Sequence, residues 1–172
     1  MTAKSERTFQ VLIGVLLVAL SLVVAKAFQE KIINVGDTAP DFTITTDSGR
    51  QITPANFGGR VLVLNFWATW CPPCVEELPS LNQFQRQMAG SGVVVVGVSI
   101  DKNEKVYRDF LKRARITFET ARDPEANISS DYGTFKVPET YIIDRTGTVV
   151  EKLINLQDWT DPNLVARVKR LL

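Results

Sequence analysis

The chain has 172 residues, of which 45% are hydrophobic, and its 20 basic and 19 acidic residues leave a formal net charge of +1. This composition can form one domain with a buried core, and the balanced charge excludes the basic surface that nucleic-acid binding needs. The chain has no histidine and two cysteines. Hydrolases that depend on a histidine base are thereby excluded, and a closed structural zinc site would need a second chain.

An apolar segment near the amino terminus is the first predicted element. Residues 11–25 read VLIGVLLVALSLVVA, with Ser21 as the only polar residue. The run lies between a signal-peptide core, about 7 to 15 residues, and a transmembrane helix, about 20, and it lacks the polar face of a helix packed on a core. We predict an uncleaved signal-anchor over residues 1–28 and a linker over residues 29–34. The alternative is a cleaved signal peptide, because residues 25–27 have the small-x-small form of a cleavage site.

The charges that flank this segment predict its orientation. Lys4, Arg7 and the terminal amine, offset by Glu6, precede it, and Lys26 and Lys31 follow it. Because a short basic amino terminus usually stays in the cytoplasm, we expect a single-pass protein of the inner or cytoplasmic membrane. The remaining domain then lies on the extracytoplasmic, periplasmic side, where thiol–disulfide chemistry is a standing process.

Residues 35–172 are predicted to form a single α/β domain. The expected elements are a hairpin turning at residues 47–49, strands over 61–66, 93–100 and 118–122, helices over 72–88, 104–115 and 125–132, a hairpin over 140–153 and a final helix capped by residues 160–162. In the helix over 104–115 we expect Val106, Phe110 and Leu111 to face inward. Alternation of strands and helices is typical of an α/β layer fold with parallel central strands.

Both cysteines lie in the stretch FWATWCPPCVEELP, directly after the first apolar strand. Cys71 is predicted at the first turn of a helix, where free backbone N–H groups and the helix dipole stabilise a thiolate. Cys74 lies three residues on, on the same helical face, so a disulfide can form between them. This spacing suits thiol–disulfide exchange, with Cys71 attacking a substrate disulfide and Cys74 resolving the mixed disulfide. The alternatives are half of a metal site or a buried structural pair.

The two intervening prolines predict the direction of electron flow. Pro72 and Pro73 have no N–H, so the Cys71 sulfur loses two nearby donors and retains chiefly the amides of Cys74 and later residues. We therefore expect the pKa of Cys71 to be only mildly depressed. A dithiol of this kind is a reductant, with a potential of about −250 mV.

Three further side chains near the cysteines are candidates for a role. Glu77, three residues beyond Cys74, is a candidate general base for the resolving thiol, or alternatively an acidic residue that favours the helix dipole. Glu76 is expected to point away from both sulfurs. Of Trp67 and Trp70, one should pack inward while the other, Trp70, faces the substrate, the alternative being that both fill the core.

The WCPPC motif after an apolar strand, the GDTAPDF segment before it and VPET before the strand YIID together resemble the thioredoxin superfamily. More narrowly, residues 35–172 are similar to the membrane-anchored TlpA/ResA and CcmG (DsbE) thiol–disulfide oxidoreductases. The resemblance implies a thioredoxin-like fold with a central mixed sheet flanked by helices and an N-terminal β-hairpin extension, and it implies no cofactor or metal. It also implies that Pro138 is a cis-proline that faces the cysteines and aligns a substrate strand. Val137, Trp70, Pro72 and Pro73 are the other candidate substrate contacts, and Glu139, which matches the family's acidic residue after the proline, either contacts the substrate or faces solvent.

The resemblance also implies partners. The substrate would be a protein disulfide, in apocytochrome c or in a copper-site protein, and the electron donor would be a membrane protein of the DsbD/CcdA type. Lys136 stands where the maturation proteins have a second glycine, which weakens the assignment to apocytochrome c.

Two other functions fit the sequence less well. A peroxiredoxin needs a proline and a threonine upstream of its nucleophile, and Leu64 and Ala68 occupy those positions. A copper carrier could use the two cysteines as soft ligands, although carriers of the Sco type also need a histidine.

Overall fold

A computed structural model of the chain describes residues 3–27, 32–53 and 59–172, and in the first helix the side chains of residues 9–23. The chain divides into two units, Met1–Lys31 and Ile32–Leu172. The first unit contains helix α1, Ala3–Ala27, whose described side chains are all exposed. Among the helical residues that the structure describes, no stretch combines the length and the hydropathy of a membrane span.

The second unit contains seven strands and four helices within its described part. In chain order they are β1 Ile44–Thr45, β2 Gln51–Ile52, β3 Val61–Trp67, α2 Pro72–Gln87, β4 Val93–Ser99, α3 Glu104–Ala114, β5 Glu119–Arg122, α4 Asn127–Asp131, β6 Glu139–Ile143, β7 Val149–Ile154 and α5 Pro162–Lys169. Strands β1 and β2 form the expected separate antiparallel hairpin. The other five strands form one sheet in the order β5-β4-β3-β6-β7.

The five-stranded sheet is mixed, as expected. β3, β4 and β5 run parallel to one another, whereas β6 and β7 are antiparallel to their neighbours. All seven residues of β3 are buried because this strand is central and covered on both faces. Alternate residues of β3 point to opposite faces, so Val63 and Trp67 join one apolar cluster while Leu64 and Phe66 join the other. The architecture is thioredoxin-like.

The two faces of the sheet are covered differently. The first cluster contains residues of α2, α3 and α5, including Phe84, Tyr107 and Val168. The second contains α4 and the segment that precedes β3, including Ile33 and Phe42. Ile33 is fully buried and its amide donates to the carbonyl of Tyr132, so a residue expected in the linker belongs to the folded unit.

The inward face of α3 differs from the prediction at one position. Val106 is 48% exposed, while Tyr107 is 1% exposed and packs against Trp67. The Tyr107 hydroxyl also donates to Asp47 at 2.5 Å, which links α3 to the turn of the hairpin. This contact fixes the rotation of α3 about its axis, and Phe110 and Leu111 remain partly buried as expected.

Candidate active site

Cys71 lies where β3 passes into α2. It is the N-cap of α2, and its backbone is extended, with φ −99° and ψ 103°. Pro72 and Pro73 occupy the first turn of the helix, where their fixed φ suits the helix and their missing N–H groups break no helical bond. The Cys71 sulfur accepts a hydrogen bond from the Cys74 amide at 3.2 Å. That amide is the first of the donors predicted from the sequence.

The two cysteines form a disulfide, with their Cα atoms 5.2 Å apart. Cys71 is 5% exposed and Cys74 is 1% exposed, so the first sulfur is the more accessible of the two. An incoming thiol or disulfide must reach a sulfur to exchange with it. This order of exposure favours Cys71 as the nucleophile and Cys74 as the resolving residue.

A loop far along the chain approaches Cys71. The Val137–Pro138 peptide bond is cis, as expected for Pro138. The carbonyl oxygen of Val137 lies 3.6 Å from the Cys71 sulfur. The loop before β6 therefore borders the sulfur that a substrate must reach.

Glu77 lies one helical turn beyond Cys74 and is 2% exposed. The indole N–H of Trp159 donates to its Oε1 atom. Its Oε2 atom has no hydrogen-bond partner within the described part of the chain. Burial raises the pKa of Glu77 to about 7, although the hydrogen bond from Trp159 lowers it in part. A carboxyl group of this pKa can take up and release a proton at neutral pH.

The tryptophans on either side of the strand end occupy different environments. Trp67 is fully buried and packs on Tyr107 and Phe110. Trp70 is 63% exposed, next to the exposed Pro72 and Pro73. An exposed aromatic ring beside a reactive sulfur provides a flat apolar surface for a polypeptide.

A pocket of about 610 Å³ adjoins Trp70 and lies at the carboxyl ends of the parallel strands. Its lining includes Thr69, Ile100, Asp101 and Val106. Asp101 is buried and accepts hydrogen bonds from the amide and the hydroxyl of Thr69, at 2.9 and 2.6 Å. Asp101 thus fixes the loop that leads into Cys71.

Glu139 is buried, so it is neither the substrate contact nor the solvent-facing side chain that the sequence left as alternatives. It is 4% exposed, and its Oε1 lies 2.9 Å from the Lys152 ammonium and 2.9 Å from the Tyr141 hydroxyl. The reason is that β6 is an interior strand of the sheet, and all five of its residues are buried. The Glu139 side chain therefore points into the protein interior, where it forms an ion pair with Lys152.

Sequence reasoning did not identify two residues of this region. Trp159 lies in the loop between β7 and α5, 82 residues from Glu77, and no local pattern connects them. Asp101 had a usable signal, because it follows the buried strand β4, and the carboxyl ends of neighbouring parallel strands meet at one edge of the sheet.

Comparison with known proteins is consistent with this geometry. The profile of the AhpC/TSA family matches residues 35–152. The chain is 33% identical over 141 residues to the thiol-disulfide oxidoreductase ResA of Geobacillus thermodenitrificans, covering 81% of this chain and 81% of that protein. It is 38% identical over 116 residues to the thioredoxin-like protein YneN of Bacillus subtilis, covering 66% of this chain and 68% of that protein.

Among solved structures, the crystal structure of StoA from Bacillus subtilis superposes with a TM-score of 0.65 at 25% identity. The superposition covers 77% of this chain and 96% of StoA.

Proposed function

The chain belongs to the AhpC/TSA family, and from this premise we propose that it reduces disulfides of proteins outside the cytoplasm. It is a thiol–disulfide oxidoreductase of the ResA type.

The observation that carries the direction is the small number of donors around Cys71. Pro72 and Pro73 contribute no N–H, and among the residues that the structure describes the Cys74 amide is the donor that bonds the sulfur. Weak stabilisation of the Cys71 thiolate favours the disulfide over the dithiol, so the reduced protein gives up its electrons readily. We expect a reduction potential of about −250 mV, and a value of about −120 mV would identify an oxidant and overturn the proposal.

The reaction proceeds in two steps from the dithiol form. The Cys71 thiolate attacks one sulfur of the substrate disulfide, forms a mixed disulfide and expels the other substrate sulfur as a thiolate. Glu77 then takes the proton of the Cys74 thiol, and the Cys74 thiolate attacks the Cys71 sulfur. The second substrate thiolate leaves, both substrate sulfurs become thiols, and two electrons have passed from the protein to the substrate. The product is the Cys71–Cys74 disulfide.

The exchange is completed by a second protein that reduces this disulfide. A membrane donor of the DsbD/CcdA type, which carries electrons from the cytoplasm, fits the proposed compartment. The apolar run over residues 11–25 and the basic residues Lys4 and Arg7 before it support an anchored protein with its domain outside. Protease added to intact spheroplasts should digest the domain. Full protection would contradict this placement.

Covalent trapping on Cys71 can identify the client protein. Cys74→Ser leaves Cys71 able to attack but removes the resolving sulfur, so a client remains linked to the protein. The double variant Cys71→Ser with Cys74→Ser is the control, because it cannot form the link. We expect an apocytochrome c to be trapped in cells that make c-type cytochromes.

The other outcomes of the same experiment are informative. A trapped copper-site protein would keep the reductase activity and reassign the client. Recovery of stable Cu(I) on the wild-type protein, with nothing trapped on the Cys74→Ser variant, would replace the reductase with a copper carrier.

A further inference from the structure

Trp159 is fixed against one face of α2 by three contacts. Its indole N–H donates to Glu77, its backbone amide donates to the Ser80 hydroxyl at 3.2 Å, and its ring lies 5.2 Å from the ring of Phe84. These three partners are three and four residues apart, which places them on the same side of the helix. The side chain is fully buried, so its position is determined by this packing.

The indole distinguishes the two oxygens of the Glu77 carboxyl group. An indole N–H only donates, so Oε1 is held as an acceptor and cannot pass a proton to Trp159. Oε2 is buried and has no partner over the described residues. Oε2 is therefore the oxygen left to exchange a proton with a neighbouring thiol, and Cys74 is the titratable residue one turn away on α2.

The two aspartates in the loop that contains Trp159 accept hydrogen bonds from residues other than Glu77. Asp158 accepts from the amide and the hydroxyl of Thr160, and Asp161 accepts from the amide of Asn163 at the start of α5. Over the described residues, no charged side chain forms a hydrogen bond or an ion pair with Glu77. A neutral donor stabilises the carboxylate partially, whereas a cation would abolish its basicity near pH 7.

We propose that Trp159 is a positioning residue for the resolving step, in which its indole N–H holds the Glu77 carboxylate so that Oε2 accepts the proton of Cys74. The inference rests on the proposed role of Glu77. It predicts that loss of the N–H raises the pH at which Glu77 becomes active, without affecting the attack by Cys71.

The test separates the two chemical steps in a single stopped-flow trace. The reduced full chain is mixed with 5,5′-dithiobis(2-nitrobenzoate), a small aromatic disulfide that releases a coloured thiolate at each step. The first phase reports attack by Cys71 and the second reports resolution by Cys74. Trp159→Phe removes the N–H and keeps an aromatic ring against Phe84. Ser80→Ala is the matched control, because it disturbs the same loop and leaves the indole N–H in place.

For Trp159→Phe we expect the midpoint of the pH profile of the second phase to rise by about one pH unit. The second phase should then be about fivefold slower than in the wild-type chain at pH 7 and equal to it above about pH 9, with the first phase unchanged. Ser80→Ala should keep the wild-type midpoint. An unchanged midpoint in Trp159→Phe, or the same change in both variants, would show a structural role alone and overturn the inference.

Failure of this inference can be told apart from failure of the function beneath it. If Glu77→Gln leaves the second phase and its pH profile unchanged, Glu77 is not the base, and the roles proposed for Glu77 and Trp159 both fail while the disulfide-reductase function, which the potential and the trapping test, stands. If Glu77→Gln slows the second phase but Trp159→Phe does not shift its midpoint, only the role of Trp159 fails.

A measurement on the wild-type chain covers the case in which Trp159→Phe does not fold. The NMR signal of the Trp159 indole N–H should shift with a midpoint near pH 7, because the group it contacts ionises there. An indole signal that stays constant through this range would contradict the contact.

Discussion

Two buried carboxylates border the active-site region, and their partners give them different properties. Glu77 follows Cys74 by one turn and is 2% exposed, and Glu139 follows Pro138 and is 4% exposed. Glu77 has a neutral indole on one oxygen and no partner on the other in the described part of the chain. Glu139 has the ammonium of Lys152 at 2.9 Å. Burial of a carboxylate thus does not define its role, because the charge of the partner decides whether it exchanges protons or forms a structural ion pair.

The ion pair also holds neighbouring backbone together. Lys152 donates to the carbonyl oxygen of Ile33 at 3.1 Å, and the Tyr141 hydroxyl lies 2.9 Å from the carbonyl oxygen of Tyr132. Burial lowers the pKa of Lys152, but its hydrogen bonds and charge contacts with Glu139 and Tyr141 raise it above the ordinary value. Lys152 therefore remains an ammonium, and the first residues of the folded unit are bound to the sheet that carries Pro138.

The largest expected effect comes from breaking this pair. Glu139→Gln removes the negative charge and leaves the Lys152 ammonium without an opposite charge, at a side-chain exposure of 13%. We expect the free energy of unfolding of the full chain to fall by about 4 kcal/mol in urea denaturation at pH 7. Glu139→Leu combined with Lys152→Met is the control, and it should recover most of that loss because both charges are gone. A loss below about 1 kcal/mol in the single variant would contradict a stabilising ion pair.

The same substitution at Glu77 should raise the free energy of unfolding at neutral pH, whereas Glu139→Gln lowers it. Folding raises the pKa of Glu77 from 4.5 to about 7, so between these values the folded chain binds more protons than the unfolded chain. Stability from this group therefore falls as pH rises through that window, by about 3 kcal/mol in total at 1.36 kcal/mol per unit. Glu77→Gln removes the titration and keeps an oxygen for the Trp159 N–H.

We expect Glu77→Gln to match the wild-type chain near pH 4.5 and to be more stable by about 3 kcal/mol at pH 8. Urea unfolding of the oxidised proteins at both pH values measures this difference. If the difference in free energy of unfolding between Glu77→Gln and the wild-type chain is the same at both pH values, burial does not raise the pKa of Glu77.

The sequence predicts the elements around the site better than the contacts inside it. Hydrophobic periodicity places β3 and α2, and the prolines of the WCPPC motif place Cys71 at the start of the helix, because these signals are local. In α3 the buried residue is Tyr107, whereas periodicity predicted Val106. The contact that holds Tyr107 in this position is its hydrogen bond to Asp47, which is 60 residues away. Local periodicity contains no information on such a contact.

The role of Glu139 illustrates the same limit within a strand. Lys152 lies opposite Tyr141 in the register of β6 and β7, and Glu139 is two residues from Tyr141 on the same face. Glu139 and Lys152 are therefore diagonal neighbours across the sheet. The register is fixed only when the strands pair, so position next to Pro138 suggested a substrate contact that the fold does not provide.

Asp101 is another buried carboxylate near the active site. Like Glu77 it has neutral hydrogen-bond donors, and like Glu139 it has partners that hold neighbouring backbone in place. It has donors on both oxygens: the Thr69 amide and the Ser99 hydroxyl bond Oδ2 at 2.9 and 2.6 Å, and the Thr69 hydroxyl bonds Oδ1. Asp101→Asn places an amide nitrogen against one set of donors, so at least one charge-assisted hydrogen bond is lost. We expect the free energy of unfolding to fall by about 2 kcal/mol, less than for Glu139→Gln because no buried cation is left unpaired.

The kinetic readout of Asp101→Asn distinguishes this carboxylate from Glu77. Thr69 lies two residues before Cys71, so a loosened loop should slow the first phase of the stopped-flow trace and leave the pH midpoint of the second unchanged. Thr69→Val is the matched control, because it removes only the hydroxyl donor and should cost about 1 kcal/mol. If Asp101→Asn instead shifts the midpoint of the second phase, Asp101 takes part in proton transfer. Asp101 would then exchange protons as Glu77 does, and its assignment as a residue that only positions the loop would be wrong.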